Sequence, residues 1–97
     1  MVKFKNKRFI SKGVADRVGP LLQLFMWQCI DEMPEPKDYL QVFWVIGEPG
    51  KQWIRHSQEV PRYEREYRLY TDTPFFAGKI FVIDDGSHTT MLLASEY

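Results

Sequence analysis

Only one stretch of the chain is long enough and periodic enough for a sizeable helix: Pro20 to Met33, PLLQLFMWQCIDEM. At about 100° per residue, Leu22, Phe25, Met26, Cys29 and Met33 fall on one stripe, with Gln28, Asp31 and Glu32 opposite. Proline is well tolerated at its start, where the missing N–H would have no partner anyway. Pro34 and Pro36 stop it. A stripe of this kind must be buried against another element, and the rest of the chain offers strands. The expectation is therefore an α+β fold, with one main helix over residues 20–33 on a mostly antiparallel sheet of five or six strands.

The strands are read from β-branched and aromatic runs and from their breakers. Residues 3–10 alternate loosely and predict a first strand with a basic, solvated face. Ser11 is placed to cap a short turn over Gly13 to Val18, which Gly19-Pro20 ends. Residues 38–47 read as a strand, and Pro49-Gly50 suits a type II turn. Residues 52–60 then return antiparallel, with Pro61 marking an edge or a bulge. RYEREYRLY, residues 62–70, fits a helix or a strand; its tyrosines and flanking strands favour the strand, with Tyr63, Arg65, Tyr67 and Leu69 on one face. The end, residues 79–96, predicts a β-hairpin. A loop over residues 85–89 would pair Ile83 with Met91, Val82 with Leu92 and Phe81 with Leu93, matching apolar to apolar. Both faces of these last strands are apolar, as in interior strands covered on each side. Sequential antiparallel neighbours are the expected topology.

Ninety-seven residues suit one domain spanning residues 1–97. Hydrophobic residues are 44% and charged residues 27%, which places the chain with folded globular proteins rather than disordered ones. Thirteen basic and thirteen acidic side chains cancel, so no overall field draws the chain to nucleic acid or an anionic membrane. The single Cys29 forbids an internal disulfide and fits a reducing cytoplasm. The basic start is not followed by the apolar run of a secretory signal, and no stretch reaches the roughly 18 apolar residues of a membrane span. A cytoplasmic location is expected.

Candidate chemistry is sparse. Asp84, Asp85 and His88 could hold a divalent ion only with a fourth ligand from elsewhere, and their spacing is not that of a calcium loop. Asp, Gly and Ser have local reasons to sit in a turn. Cys29 lies on the apolar stripe, where a thiol behaves as a small hydrophobe. The motifs of metalloproteases, serine hydrolases, dithiol oxidoreductases and phosphate-binding loops are absent. The reading is a non-enzymatic chain with no cofactor and no metal.

Two binding surfaces suggest themselves. Leu24 and Trp27, three residues apart on the helix, lie off the main stripe. Either a terminal strand covers them, or they face a partner, with Tyr63 and Tyr67 as further aromatic anchors. The occupant would be a protein partner or a second copy of the chain. The alternative is a single-stranded nucleic acid held on a basic strip of Lys3, Lys5, Lys7, Arg8, Arg62, Arg65 and Arg68, with Tyr63 and Tyr67 between. Glu64 and Glu66 interrupt that strip, and a solvated charged face is its plain reading.

Taken in order, RFISKG, LQLFMW, DYLQVFW, QEVP, KIFVIDDG and TMLLASEY resemble a family of short, uncharacterised proteins of Gram-positive bacteria, of the DUF960 type. The resemblance is strongest from Lys79 to Tyr97. It implies a bacterial, intracellular setting, often with phages or other mobile elements, and no activity. That setting implies one sharper idea: a small inhibitor of a host defence nuclease complex, in the manner of anti-CRISPR proteins.

Overall fold

In the computed structural model, which describes residues 3–70 and 76–97, Ser11 opens the first helix, α1 (Lys12–Arg17). Its hydroxyl accepts the Val14 N–H at 3.1 Å, an N-cap that supplies one of the helix's orphan donors. The break at Gly19 leads into α2 (Pro20–Glu32), with proline in its first turn. Leu22, Met26, Cys29 and Ile30 of α2 are buried, while Gln28, Asp31 and Glu32 face solvent. Ile30 adds to the expected stripe, and Phe25 sits at its half-buried margin.

Among the described residues six strands follow the expected order: β1 (Lys7–Ile10), β2 (Leu40–Glu48), β3 (Lys51–Gln58), β4 (Tyr63–Tyr70), β5 (Gly78–Asp84) and β6 (His88–Leu93). Pro49-Gly50 joins β2 to β3, and Gly50 takes the left-handed φ of 82° that a type II turn requires. Residues 63–70 are a strand, paired antiparallel to β3 along its whole length. Pro61 lies in the four-residue connection from β3 to β4, outside the ladder. The fold is α+β, with the main helix on a six-stranded, mostly antiparallel sheet and a hairpin of β5 and β6 near the C-terminus.

Four details differ from the sequence reading. The sheet order is β1-β6-β5-β2-β3-β4, so neighbours are not simply sequential: β2 pairs with β5, and β1 lies parallel to β6. The first strand starts at Lys7 rather than Lys3, because Phe4 adopts a left-handed φ of 56° and buries its ring completely. The C-terminal hairpin is slipped by one residue. Asp85 N–H donates to His88 C=O at 3.1 Å, and the Asp85 carboxylate accepts the Ser87 and His88 N–H groups at 3.0 Å each. That tight loop pairs Val82 with Met91, Phe81 with Leu92 and Ile80 with Leu93. Apolar matching alone favoured neither register; the loop's hydrogen bonds decide. The chain then ends in a short 3-10 turn, Ala94–Glu96.

The fourth difference bears on function. Among the described residues the helices and the N-terminal Phe4 cover one face only. That inner face carries Phe43, Val45, Ile54, Ile80, Val82, Met91 and Leu93, which join Val14, Leu22, Met26 and Ile30 in one core. The other face alternates outward, and among the described residues no helix lies over it. The strands are apolar on both sides but covered on one.

Candidate docking surface

The open face is built by the strand pleat, since every second side chain of a strand must point away from the helices. On β2 those residues are Leu40, Val42, Trp44 and Ile46; on β3, Lys51, Trp53, Arg55 and Ser57; on β5, Lys79, Phe81 and Ile83. Cross-strand register stacks them in rows. Lys79, Trp44, Arg55 and Glu66 form one row, and Ile46, Trp53 and Arg68 the next. Trp44 is 45% exposed, Ile46 58% and Trp53 37%, although two of the three lie on β2, a central strand. Isolated exposed apolar residues are ordinary, but a contiguous group of large ones marks an interaction site. A hollow of about 100 Å³ opens between Trp44, Ile46 and Trp53.

Cations ring these aromatics. Lys79 Nζ lies 4.7 Å from the Trp44 ring centre, and Lys51 Nζ lies 4.4 Å from that of Trp53. The Arg68 guanidinium is 5.7 Å from the same Trp53 ring. Arg55 pairs with Glu66 at 3.7 Å, an exposed contact worth little on its own. The face is thus an apolar, aromatic centre with a predominantly basic fringe. At its β1 and β6 end, Phe9 packs edge-on against His88 at 5.4 Å, and Tyr97 packs edge-on against Phe81 at 5.5 Å.

The residues expected to form a partner surface are split across the sheet. Leu24 is 66% exposed on α2, next to Leu21 at 47%. Trp27 is only half-buried, and it is covered from the terminal strand: Arg8 of β1 lays its guanidinium 4.7 Å from the ring centre and pairs with Asp31. Tyr63 and Tyr67 stand at the opposite end of the sheet, on the inner side of β4. Tyr67 packs edge-on against Phe25 at 5.2 Å, and Tyr63 packs edge-on against His56 at 5.4 Å. These four residues do not make one patch.

The basic strip is likewise dispersed, because β1 and β4 are the two outer strands of the sheet. Lys3 lies near Glu35 at 3.8 Å, Lys7 is over Phe9, and Arg8 turns inward to Asp31. Lys5 is exposed just before β1. Arg62 lies near Glu64 at 3.8 Å, Arg65 leans over Tyr63 on the inner side, and Arg68 faces out over Trp53. Arg68 alone of the seven joins the open face's tryptophans. The missed signal was the alternation in VFWVIG and QWIRHS, whose outward positions hold two tryptophans and an isoleucine.

The remaining candidates for chemistry have structural work. The Asp84 carboxylate accepts the Phe4 N–H at 3.0 Å, the Asn6 amide at 2.8 Å and the Gly86 N–H at 2.9 Å. Burial opposes its charge, but those donors outweigh burial and hold its pKa below the usual carboxylate range. Burial pushes the Cys29 thiol up to about 11, so thiolate is scarce at neutral pH. Among the described residues no three His, Cys, Asp or Glu side chains gather closely enough to hold a metal ion.

The family model described as "Staphylococcal protein of unknown function (DUF960)" matches residues 7–96, nearly the whole chain. The chain belongs to this family. Among the curated proteins no relative matches. A crystal structure of a protein of unknown function from Enterococcus faecalis is similar throughout, with a TM-score of 0.87 and 27% sequence identity. The match covers 100% of this chain and 97% of that one. DUF960 thus brings a family and a fold, and any role has to be argued from the surface itself. Among the described residues no helix is long and apolar enough to cross a membrane.

Proposed function

We propose that this DUF960 protein is a non-enzymatic interaction module that binds a protein partner through the open face of its sheet. The observation that carries the reading is the exposure of Trp44, Ile46 and Trp53 together on a face that, among the described residues, no helix covers. Tryptophan dominates binding hot spots because it buries a large rigid surface at small entropic cost. The fringe of Lys51, Arg68 and Lys79 specifies the partner's chemistry: an apolar centre bordered by acidic side chains. An inhibitor seated on a host defence nuclease is one form of such a module, supported by the mobile-element setting that the family resemblance implies.

A second reading draws on the same three cations. Two tryptophan rings flanked by lysine and arginine also suit single-stranded nucleic acid, whose bases stack on aromatic rings while cations follow the phosphates.

One variant separates the readings. Trp44→Thr with Trp53→Thr keeps good strand formers on an exposed face and should stay folded by circular dichroism. Proteins retained from bacterial lysate by the wild type are purified and titrated against both forms. Loss of a hot-spot tryptophan costs about 2 kcal/mol or more, roughly a thirtyfold rise in Kd. A retained protein that binds both forms equally is not docked on this face, and the proposal fails. Fluorescence anisotropy with labelled oligonucleotides tests the second reading. Binding that weakens steeply between low and moderate salt and disappears in the variant would replace the protein partner with a nucleic acid.

A further inference from the structure

We propose that the protein dimerises edge to edge, with β4 of one copy pairing antiparallel to β4 of a second copy about a two-fold axis at Tyr67. The reading is independent of the open-face proposal, since it rests on the edge of the sheet and not on its tryptophans.

β4 is the outer strand on its side of the sheet, and among the described residues its one strand partner is β3. Its eight residues contain no proline, so a row of backbone donors and acceptors is available for another strand. The ladder fixes which residues offer them. Asp84 N–H donates to Tyr39 C=O at 3.0 Å, so the odd-numbered residues of β2 turn their backbone groups toward β5. The even-numbered residues of β2 therefore bond to β3, and residues 52, 54, 56 and 58 of β3 bond to β4. Their partners there are Leu69, Tyr67, Arg65 and Tyr63. The free edge consequently belongs to Glu64, Glu66, Arg68 and Tyr70.

Two copies of this edge can pair only if even-numbered residues meet even-numbered residues, because the others have no backbone groups to offer. The two-fold axis must then pass through a residue. Centred on Arg65, the pairing sets Glu64 against Glu66 twice. A centre at Glu66 or at Arg68 sets that residue against its own copy. Each of these places like charges directly opposite, which is unfavourable. Centred on Tyr67, every charged pair is of opposite sign: Glu66 meets Arg68, and by symmetry Arg68 meets Glu66. Tyr67 faces its own copy at a non-hydrogen-bonded site, where side chains approach most closely. Among the registers centred from Arg65 to Arg68, the charges of EREYR thus select one and do not simply blunt the edge. In that register Arg55, Glu66, the second copy's Arg68 and its Trp53 continue the open-face rows across the axis, alternating cation, anion, cation and ring.

Charge reversal tests the register. Wild-type protein should show a concentration-dependent dimer in sedimentation equilibrium. Glu66→Arg alone and Arg68→Glu alone each create two like-charge pairs by symmetry and should weaken the dimer roughly tenfold or more. The combination Glu66→Arg with Arg68→Glu restores both pairs and should restore the dimer. Both side chains are exposed, and circular dichroism checks that each variant is folded. As a second probe, Glu66→Pro removes an edge donor while leaving the β3 ladder intact, and should give monomer. A wild type that stays monomeric at all concentrations overturns the proposal. So does a dimer indifferent to both single reversals, or one that the double reversal fails to restore. The open-face variant Trp44→Thr with Trp53→Thr should remain dimeric, so the two proposals fail separately.

Discussion

His56 is fully buried, with its ring stacked 4.3 Å from Phe43 and its Nε2 2.7 Å from the Gln41 side-chain oxygen. A polar ring in such a place is kept neutral: burial lowers its pKa from 6.5 to about 4. The unfolded chain binds a proton near pH 6.5 that the folded chain refuses, so acid favours unfolding. Stability contributed by neutral His56 is complete above pH 6.5 and declines as pH falls toward 4. The loss should reach roughly 2 to 3 kcal/mol by pH 4.5. Asp84, Asp85 and Glu96 have lowered pKa values, and their contributions disappear only below the ordinary carboxylate range. Urea unfolding at a series of pH values should show the slope, and His56→Gln should flatten it whatever that change costs at pH 7. A slope that persists in the variant assigns the titration to another group.

At the scale of elements, local signals were legible and non-local ones were not. The helix stripe, the Ser11 cap, the Pro-Gly turn and the strand character of RYEREYRLY are properties of neighbouring residues, and each is in place. The parallel pairing of β1 with β6 joins residues about eighty positions apart, and no periodicity reports it. What anchors that pairing is Asp84, which receives the Phe4 N–H and the Asn6 amide, while Asn6 also accepts from Thr89. In the sequence Asp84 reads as a turn residue beside Asp85; here it is 6% exposed and ties the N-terminal segment to the hairpin. Asp84→Ala should leave buried donors unpaired and cost about 1 to 3 kcal/mol in urea unfolding. Proteolysis should cut first near residues 3–10. A variant as stable as the wild type would show that the segment is held by the Phe4 ring alone.

The molecule as a whole is a layer of helices on a sheet whose second face has no such cover among the described residues. Adjacent residues of β2 therefore meet opposite fates: Phe43 is 0% exposed in the core, and Trp44, one step along the pleat, is 45% exposed. The sequence shows both as large aromatics in one apolar strand, with nothing local to tell the covered position from the open one. Only the number of helices available to cover it, against the breadth of six strands, separates the two positions. Phe43→Ala removes a ring from a packed interior and should cost about 3 to 5 kcal/mol. Trp44→Ala removes a larger ring but exchanges it for water on a face already wet, and should stay within about 1 kcal/mol of wild type. Urea unfolding of the two variants at low protein concentration makes the comparison. Equal, large losses would mean that another layer packs over Trp44, and the open face would then be interior. A large loss for Phe43→Ala beside a small one for Trp44→Ala leaves that ring free for a partner.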